Sequence, residues 1–262
     1  MSTQIHKSAI VHPDAKISDN VSIGPFTIVE ENVVIGEGTQ IASNTLIASG
    51  TRIGISCKIS HGAVLGTLPQ DLKFGGEETT LEIGNNTTIR EYCTLNRGTK
   101  AHMKTIVGNN CFIMAYVHIA HDCTIGSNVI LVNAVNMAGH VDIEDFAIVG
   151  GLTPIHQFVR IGQHAMIGGG SRAGKDIPPY IIGSRYPMCF EGTNIIGLKR
   201  RGFSPDTIAN IEKTYHILYE IGLNVTQAVQ KIKDELPKTP EVNNILEFIA
   251  KSKRGIIGPL KK

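Results

Sequence analysis

Aliphatic residues recur at every sixth position from the start of the chain, at Ile5, Val11, Ile17, Ile23, Val29, Ile35, Ile41, Ile47, Ile53, Ile59 and Leu65. The frame returns at Ile83, Ile89 and Leu95. It then runs unbroken through Val107, Ile113, Ile119, Ile125, Leu131, Met137, Ile143, Val149, Ile155, Ile161 and Ile167. A short fixed period of this kind marks a solenoid, in which each repeat covers the apolar face of the one before. Residues i and i−2 of a strand point to the same side, so the position two before each aliphatic has to suit an interior as well. It does: Thr105, Cys111, Val117, Cys123, Val129, Val135, Val141, Ala147, Thr153, Val159, Ala165 and Ser171 are all small or β-branched. Glycine follows the aliphatic repeatedly, as at Gly24, Gly36, Gly54, Gly84, Gly108, Gly126, Gly150, Gly162 and Gly168, which predicts tight corners. Each hexad reads as a short strand and a turn.

Such hexads predict a mainly β chain built as a parallel β-helix. Resemblance to known hexapeptide proteins adds a left-handed sense and three hexads per coil. An absence of Trp, 28 Gly and 5% aromatic residues fit a core of small and β-branched side chains. Cys57, Cys93, Cys111 and Cys123 all fall at i−2, as interior residues. Five Cys with no CxxC pair argue for reduced thiols and a cytoplasmic protein. No apolar run is long enough to span a membrane and the amino terminus lacks the apolar stretch of a signal peptide, so no integral membrane association is expected. Lys plus Arg number 25 against 23 Asp plus Glu, and a net charge of +2 disfavours long-range capture of nucleic acid.

Two segments break the frame, near 66–82 and 96–104, and insertions in a solenoid become loops projecting from one face. They carry Lys73, Arg97, Lys100 and Lys104 among polar residues and Gly. The hexads stop at Pro178 and Pro179, and a helical pattern follows. Ser204-Pro205-Asp206 and Thr239-Pro240-Glu241 each supply an N-cap, a Pro at the first helical position and an acid in the first turn. Between them, Ile208, Ile211, Tyr215, Leu218 and Tyr219 have helical spacing, with Gly222 as a stop. The expected organisation is a β-helix over 1–187 and a C-terminal α-helical domain over 188–262 that caps the last coil.

The repeat also places the histidines. Ile119, Met137 and Ile155 are three hexads apart and stack in successive coils, with His121 at i+2, His140 at i+3 and His156 at i+1 of their hexads. All three gather at one corner, with side chains expected outside the prism. Gly139 lies one coil from His121 and Gln157 one coil beyond, while His118 sits at i−1 on the same strand. Three readings fit this cluster: turn histidines with a purely structural role, a three-histidine zinc site of the kind found in hexapeptide carbonic anhydrases, or a catalytic imidazole serving as general base near neutral pH.

The motifs HIAHDCTIG (118–126), NMAGHV (136–141), PIHQF (154–158), PQDLKFGGE (69–77) and GLKRRGFS (197–204) occur together and in order. In this the chain resembles the UDP-N-acetylglucosamine O-acyltransferases, over effectively its whole length. The resemblance implies transfer of a (3R)-3-hydroxyacyl group from acyl carrier protein to the glucosamine 3-hydroxyl of UDP-N-acetylglucosamine, the first step of lipid A biosynthesis. It implies no metal and no dissociable cofactor, since phosphopantetheine arrives with the carrier, and it implies a homotrimer with sites between subunits. By the same carry-over His121 is the base, Asp122 orients it, and the N–H of Gly139 receives the oxyanion. His118, His140, His156, Gln157, Asp71, Lys73, Asn194 and Arg200 would bind nucleotide-sugar, pantetheine or acyl chain, with Arg200 suited to phosphate. The cations Lys199, Arg200, Arg201, Lys251, Lys253 and Arg254 offer an alternative, docking of an acidic carrier.

The chain departs from the family pattern at two places. Ile196 stands where the family has Glu, and Pro187 where a His often lies beside the acyl tail. Gly169 matches the chain-length position, and a small residue there leaves room for a long hydroxyacyl donor. A His base serves a 3-hydroxyl or a 3-amino acceptor equally, so both acceptors stay open at this level. The other readings are the N-acyltransferase of the same pathway, disfavoured by hexads that begin at Ile5, an amino-sugar acetyltransferase, and a non-enzymatic β-helix.

Overall fold

The computed structural model describes residues 2–260; Met1, Lys261 and Lys262, at the outer ends of the two expected domains, lie outside the described residues. Two-residue strands such as Gln4–Ile5, Ile10–Val11 and Lys16–Ile17 alternate with turns, and each pairs in parallel with its equivalent in the next coil. Gln4 pairs with Ser22 and Ile10 with Ile28, so three hexads form one coil of a left-handed parallel β-helix. The strands stack into three faces, which we number by their first strands: face 1 from Gln4–Ile5, face 2 from Ile10–Val11 and face 3 from Lys16–Ile17.

The interior is the one the hexads predict. The aliphatic position and the position two before it are buried from Val21 to Ile167, and the five cysteines are buried and free. Burial pushes the Cys93 thiol up to about 11 and Cys123 up to about 12, which keeps both protonated and unreactive. Interior threonines hide their hydroxyls by donating to carbonyls at the next corner, as Thr39 Oγ1 does to Gly54 O at 2.9 Å.

The corners differ from expectation in one respect. The left-handed backbone falls three residues after the aliphatic and is borne mostly by non-glycine residues, among them Asn20, Asn32, Asn110, Asp122 and His140. Asn and Asp tolerate this conformation best. The glycine directly after the aliphatic answers a different demand, the approach of the next coil. A Cβ on Gly36 would lie 2.6 Å from the carbonyl carbon of Gly54.

Both frame breaks are excursions. An unbroken frame would pair Lys58 with position 76 and Thr94 with position 112. The partners found are Thr88 and His118, so the first excursion lengthens its coil by two hexads and the second by one. Strands Val64–Thr67 and Thr80–Ile83 flank the first, and Thr94–Asn96 and Lys104–Val107 the second. They hold each other: Asn96 Nδ2 donates to Leu68 O at 2.9 Å and Arg97 N to Thr67 O at 3.1 Å.

Ala173 and Ile177 bridge back to Ile155 and Ile161 in the last coil. An antiparallel hairpin of Ile181–Ser184 and Cys189–Thr193 then extends face 1, and Gly258–Pro259 pairs with its second strand. The hairpin straddles position 187, so the change from sheet to helix comes at Asn194 and the chain's end returns to the sheet. Four helices lie between: α1 (Ile195–Arg200), α2 (Pro205–Tyr219), α3 (Val225–Glu235) and α4 (Pro240–Ala250). Ser204 and Thr239 cap α2 and α4 as expected. Past the stop at Gly222, a further helix begins that the spacing did not predict, because Asn224 and Gln227 form a capping box that starts α3. The helices close the last coil: Tyr215 OH donates to Pro179 O at 2.5 Å, and the Arg160 guanidinium lies 4.3 Å from the Phe248 ring. Among the described residues, no helix is long and apolar enough to cross a membrane.

One junction between the β-helix and the helices is titratable. His164 stacks on Phe146 at 4.8 Å and meets Phe203 edge-on at 5.0 Å, and its Nδ1 accepts from Arg201 Nη1 at 2.9 Å. Burial and the adjacent guanidinium push His164 down to about 4. The unfolded chain therefore binds a proton that the native state refuses. The stabilising contribution is complete above about 6.5 and is lost as the pH falls towards 4, by on the order of 3 kcal/mol. Melting curves between pH 7 and 4 are expected to fall less steeply for His164→Gln, which keeps an acceptor but does not titrate. Parallel curves for the two proteins would refute this.

Candidate active site

The corner between the face 2 strand His118–Ile119 and the face 3 strand Thr124–Ile125 carries His121 and Asp122. Asp122 has the left-handed backbone of its turn position (φ 58°), and its N–H donates to Thr105 Oγ1 at 2.9 Å. The carboxylate is wholly buried yet receives four hydrogen bonds. Thr99 N at 2.9 Å and His102 N at 3.2 Å donate to Oδ1; Thr99 Oγ1 and His121 Nδ1, each at 2.7 Å, reach Oδ2. Burial alone would raise this carboxyl, but the donors from His121, Thr99 and His102 outweigh it and leave Asp122 below the usual carboxylate range.

An ionised Asp122 can only accept, so the proton in its bond to His121 belongs to Nδ1. Nε2 then presents a lone pair, and it has no partner among the described residues. The imidazole packs on Gly139 in the next coil: a Cβ there would lie 2.6 Å from Cε1 and 2.8 Å from Nε2 of His121. The N–H of Gly139 donates to no acceptor among the described residues. A proton acceptor and a free backbone donor thus sit side by side, which is the pairing an addition at a carbonyl requires.

His121 lies outside the aliphatic core, as expected, yet is not open to solvent: bonded to Asp122 and packed on Gly139 and His140, the residue is 9% exposed. His140 is half-buried, with its ring edge-on to His121 at 5.1 Å and stacked on Phe158 at 4.7 Å. Burial, with His121 and His102 nearby, holds His140 below the ordinary histidine range against the opposite pull of Asp122 and Asp71. His118 is half-buried on the strand leading into this corner, its Nδ1 2.7 Å from Thr94 Oγ1, and burial lowers it also. His156 and Gln157 are exposed one coil above Gly139.

Asp71 and Lys73 lie in the first excursion, where Asp71 Oδ1 accepts from Lys73 N at 3.0 Å and the Lys73 side chain is exposed. Gly169 is exposed beside Gly151, whose carbonyl oxygen would lie 3.2 Å from a Cβ there. Arg200, on α1, is exposed. Of its neighbours in the basic run, Arg201 is committed to Phe146 O and His164, and Arg254 donates to Gly174 O. Asn194 departs most from the ligand role expected of it. Its Nδ2 donates to His164 O at 3.0 Å and its Oδ1 accepts from Gly197 N at 3.2 Å, so the buried amide caps α1 with both ends in use.

The histidines do not assemble the zinc set considered from sequence. The residues whose ligand atoms come within 4.8 Å of one another are His121, Asp122 and His140, without His156. Both oxygens of Asp122 are already occupied by donors, which leaves two imidazoles, fewer than the three protein ligands of a catalytic zinc, so this group does not fit the metal.

Two residues of the site escaped the sequence reading, Thr99 and His102. Their signal was the length of the second excursion: with Thr94 paired to His118, position 98 falls one coil below Asp122, and 99–103 have to cross that corner.

A family model described as UDP-N-acetylglucosamine O-acyltransferase, domain 2, matches residues 176–257, and the six-repeat bacterial transferase hexapeptide model matches 14–49 and 104–139. The acyl-[acyl-carrier-protein]–UDP-N-acetylglucosamine O-acyltransferase of Thiobacillus denitrificans is 50% identical over 254 residues, 97% of this chain and 98% of the relative. Among solved structures, the UDP-N-acetylglucosamine acyltransferase of Bacteroides fragilis is 50% identical with a TM-score of 0.94, covering 96% of this chain and 99% of its own. That of Francisella novicida is 40% identical with a TM-score of 0.95, covering 98% and 95%.

Proposed function

Because this chain belongs to the acyl-[acyl-carrier-protein]–UDP-N-acetylglucosamine O-acyltransferase family and is an acyltransferase, we propose that it moves a (3R)-3-hydroxyacyl group onto the glucosamine 3-hydroxyl with His121 as the base. The observation that carries this is the free Nε2 of a carboxylate-held imidazole lying against Gly139. Nε2 takes the proton of the 3-hydroxyl as its oxygen adds to the thioester carbonyl. The resulting oxyanion accepts from the Gly139 N–H, and collapse expels the pantetheine thiolate. The imidazolium returns its proton to that sulfur, so no net proton or further reactant is needed. Asp122 holds the tautomer and offsets the imidazolium charge.

On this reading no dissociable cofactor takes part, phosphopantetheine comes with the carrier, and the enzyme works in the cytoplasm at the first step of lipid A biosynthesis. His118, His140, His156 and Gln157, stacked along the corner, line the path of substrate, and the exposed Arg200 is free for phosphate. Gly169 leaves room for a long acyl chain.

The outward rows support a homotrimer. Face 3 carries the charged Lys16, Arg52, Glu82, Asp142 and Arg160. The first coils of face 2 present Ile10, Ile28, Leu46 and Val64, and the last coils of face 1 present Phe112, Ile130, Ile148 and Met166. The corner between these two faces exposes Phe26, Tyr92, Tyr116 and Leu152. Rows this apolar call for cover, and other copies of the chain supply it. Leu72, fully exposed beside Lys73 in the first excursion, is a further apolar group that a neighbouring copy would cover.

The test is acyl transfer from a series of (3R)-3-hydroxyacyl carrier proteins to UDP-N-acetylglucosamine and, separately, to its 3-amino analogue. Turnover of the 3-hydroxyl acceptor, fastest with long donors, is expected. Turnover of the 3-amino sugar alone would overturn the acceptor.

A further inference from the structure

The donors to the Asp122 carboxylate come from two places. His121 supplies one bond and the second excursion three, through Thr99 N, Thr99 Oγ1 and His102 N. The backbone donors go to Oδ1. Oδ2, the oxygen that holds the imidazole, is shared between His121 Nδ1 and Thr99 Oγ1 at 2.7 Å each. The sense of the Thr99 bond is not free. Its oxygen accepts from Ala101 N at 3.2 Å, and the carboxylate has no proton to give, so the hydroxyl donates to Oδ2. Two donors on one carboxylate oxygen divide its charge between them.

Apart from the Ala101 N–H, the excursion is held by bonds that do not use the hydroxyl. Thr79 Oγ1 donates to Gly98 O at 2.6 Å, Gly98 N to Thr80 O at 3.2 Å and Met103 N to Thr99 O at 2.7 Å, and none of these involves it. We infer that Thr99 is a positioning residue, which through its hydroxyl sets the strength of the Asp122–His121 bond and thereby the proton affinity of Nε2. The inference rests on His121 being the base. It gives the second excursion a purpose, since the hydroxyl reaches the carboxylate only because that loop crosses the corner.

Thr99→Val removes the O–H and the acceptor it offers Ala101 N, and keeps the side chain's shape and the bonds made by Thr99 N, His102 N and Met103 N. With Oδ2 left to His121 alone, the low-field Nδ1 proton of His121 is expected to move further downfield in NMR spectra of the substrate-free enzyme. The acid limb of the kcat/KM profile is expected to rise by about half a pH unit, equivalent to about a threefold loss on that side of the profile. Thr99→Ser should restore both. The other ionisable groups around this pair are His140 in the next coil and His102 in the same excursion, with Asp71 of the first excursion acting on His140 and Asp142 of face 3 near His102. All are common to the variant and the wild type.

A resonance and a limb that stay in place while the melting temperature falls would reduce Thr99 to a loop brace and overturn the inference. Should the valine variant not fold, Thr99→Ala is read the same way. The resonance needs no substrate, so it separates the two levels of argument. If it moves while a His121 variant remains active, the base assignment fails and the control of the hydrogen bond by Thr99 stands.

Discussion

Replacing His121 by Gln is expected to leave a folded protein that turns over about 10²- to 10⁴-fold more slowly, the usual share of a general base. Glutamine suits the site better than alanine, because the imidazole is packed between Asp122 and Gly139 and the residue is 9% exposed. An amide can still donate to Asp122 Oδ2, whereas alanine would open a void and strip a buried carboxylate of a donor. What Gln cannot supply is a proton acceptor where Nε2 stood. Steady-state transfer rates beside a thermal melt check this. Turnover within tenfold of the wild type at an unchanged melting temperature would place the base elsewhere.

Gly139→Ala should be nearly as damaging, by about 10²- to 10³-fold in kcat, although it adds one methyl and removes no functional group. The new Cβ would lie 2.6 Å from Cε1 and 2.8 Å from Nε2 of His121, closer than real Cβ atoms come. The imidazole would have to turn off its bond to Asp122 or move away from the Gly139 N–H. A displacement of this size near the reacting atoms is enough to cost about two orders of magnitude. Combining the two changes tests the cause. If the alanine acts by displacing the imidazole, the Gly139→Ala, His121→Gln double variant should be little slower than His121→Gln alone, since one defect already contains the other. Fully multiplying losses would show that Gly139 acts independently of the imidazole.

Much of this was legible in the hexads. A period of six with interior residues at i and i−2 leaves few architectures open, because any other path would bury the intervening polar residues. The same count puts Gly139 beside His121. Legibility stopped where the frame stopped. The helices α2 and α4 announced themselves through Ser204-Pro205 and Thr239-Pro240, but the hairpin of Ile181–Ser184 and Cys189–Thr193 follows no hexad and carried the sheet past the expected boundary. The glycines were found correctly and explained wrongly: a neighbouring coil, invisible in one hexad, forbids their Cβ.

The sequence by itself determined the coil, its interior and the corner on which His121, Asp122, Gly139 and His140 meet, because periodic local structure turns spacing along the chain into position in space. Only the tertiary structure decided the chemistry of that corner. The ionised state of Asp122, and through it the tautomer that leaves Nε2 of His121 open, depend on the second excursion, which brings Thr99 and His102 across the coil. Likewise, Asn194 is a cap for α1 and Arg201 a partner for His164, because those residues find their acceptors in coils far away in sequence. A loop outside the repeat has no period from which its path can be read, and a hydrogen bond between distant segments leaves no spacing to count.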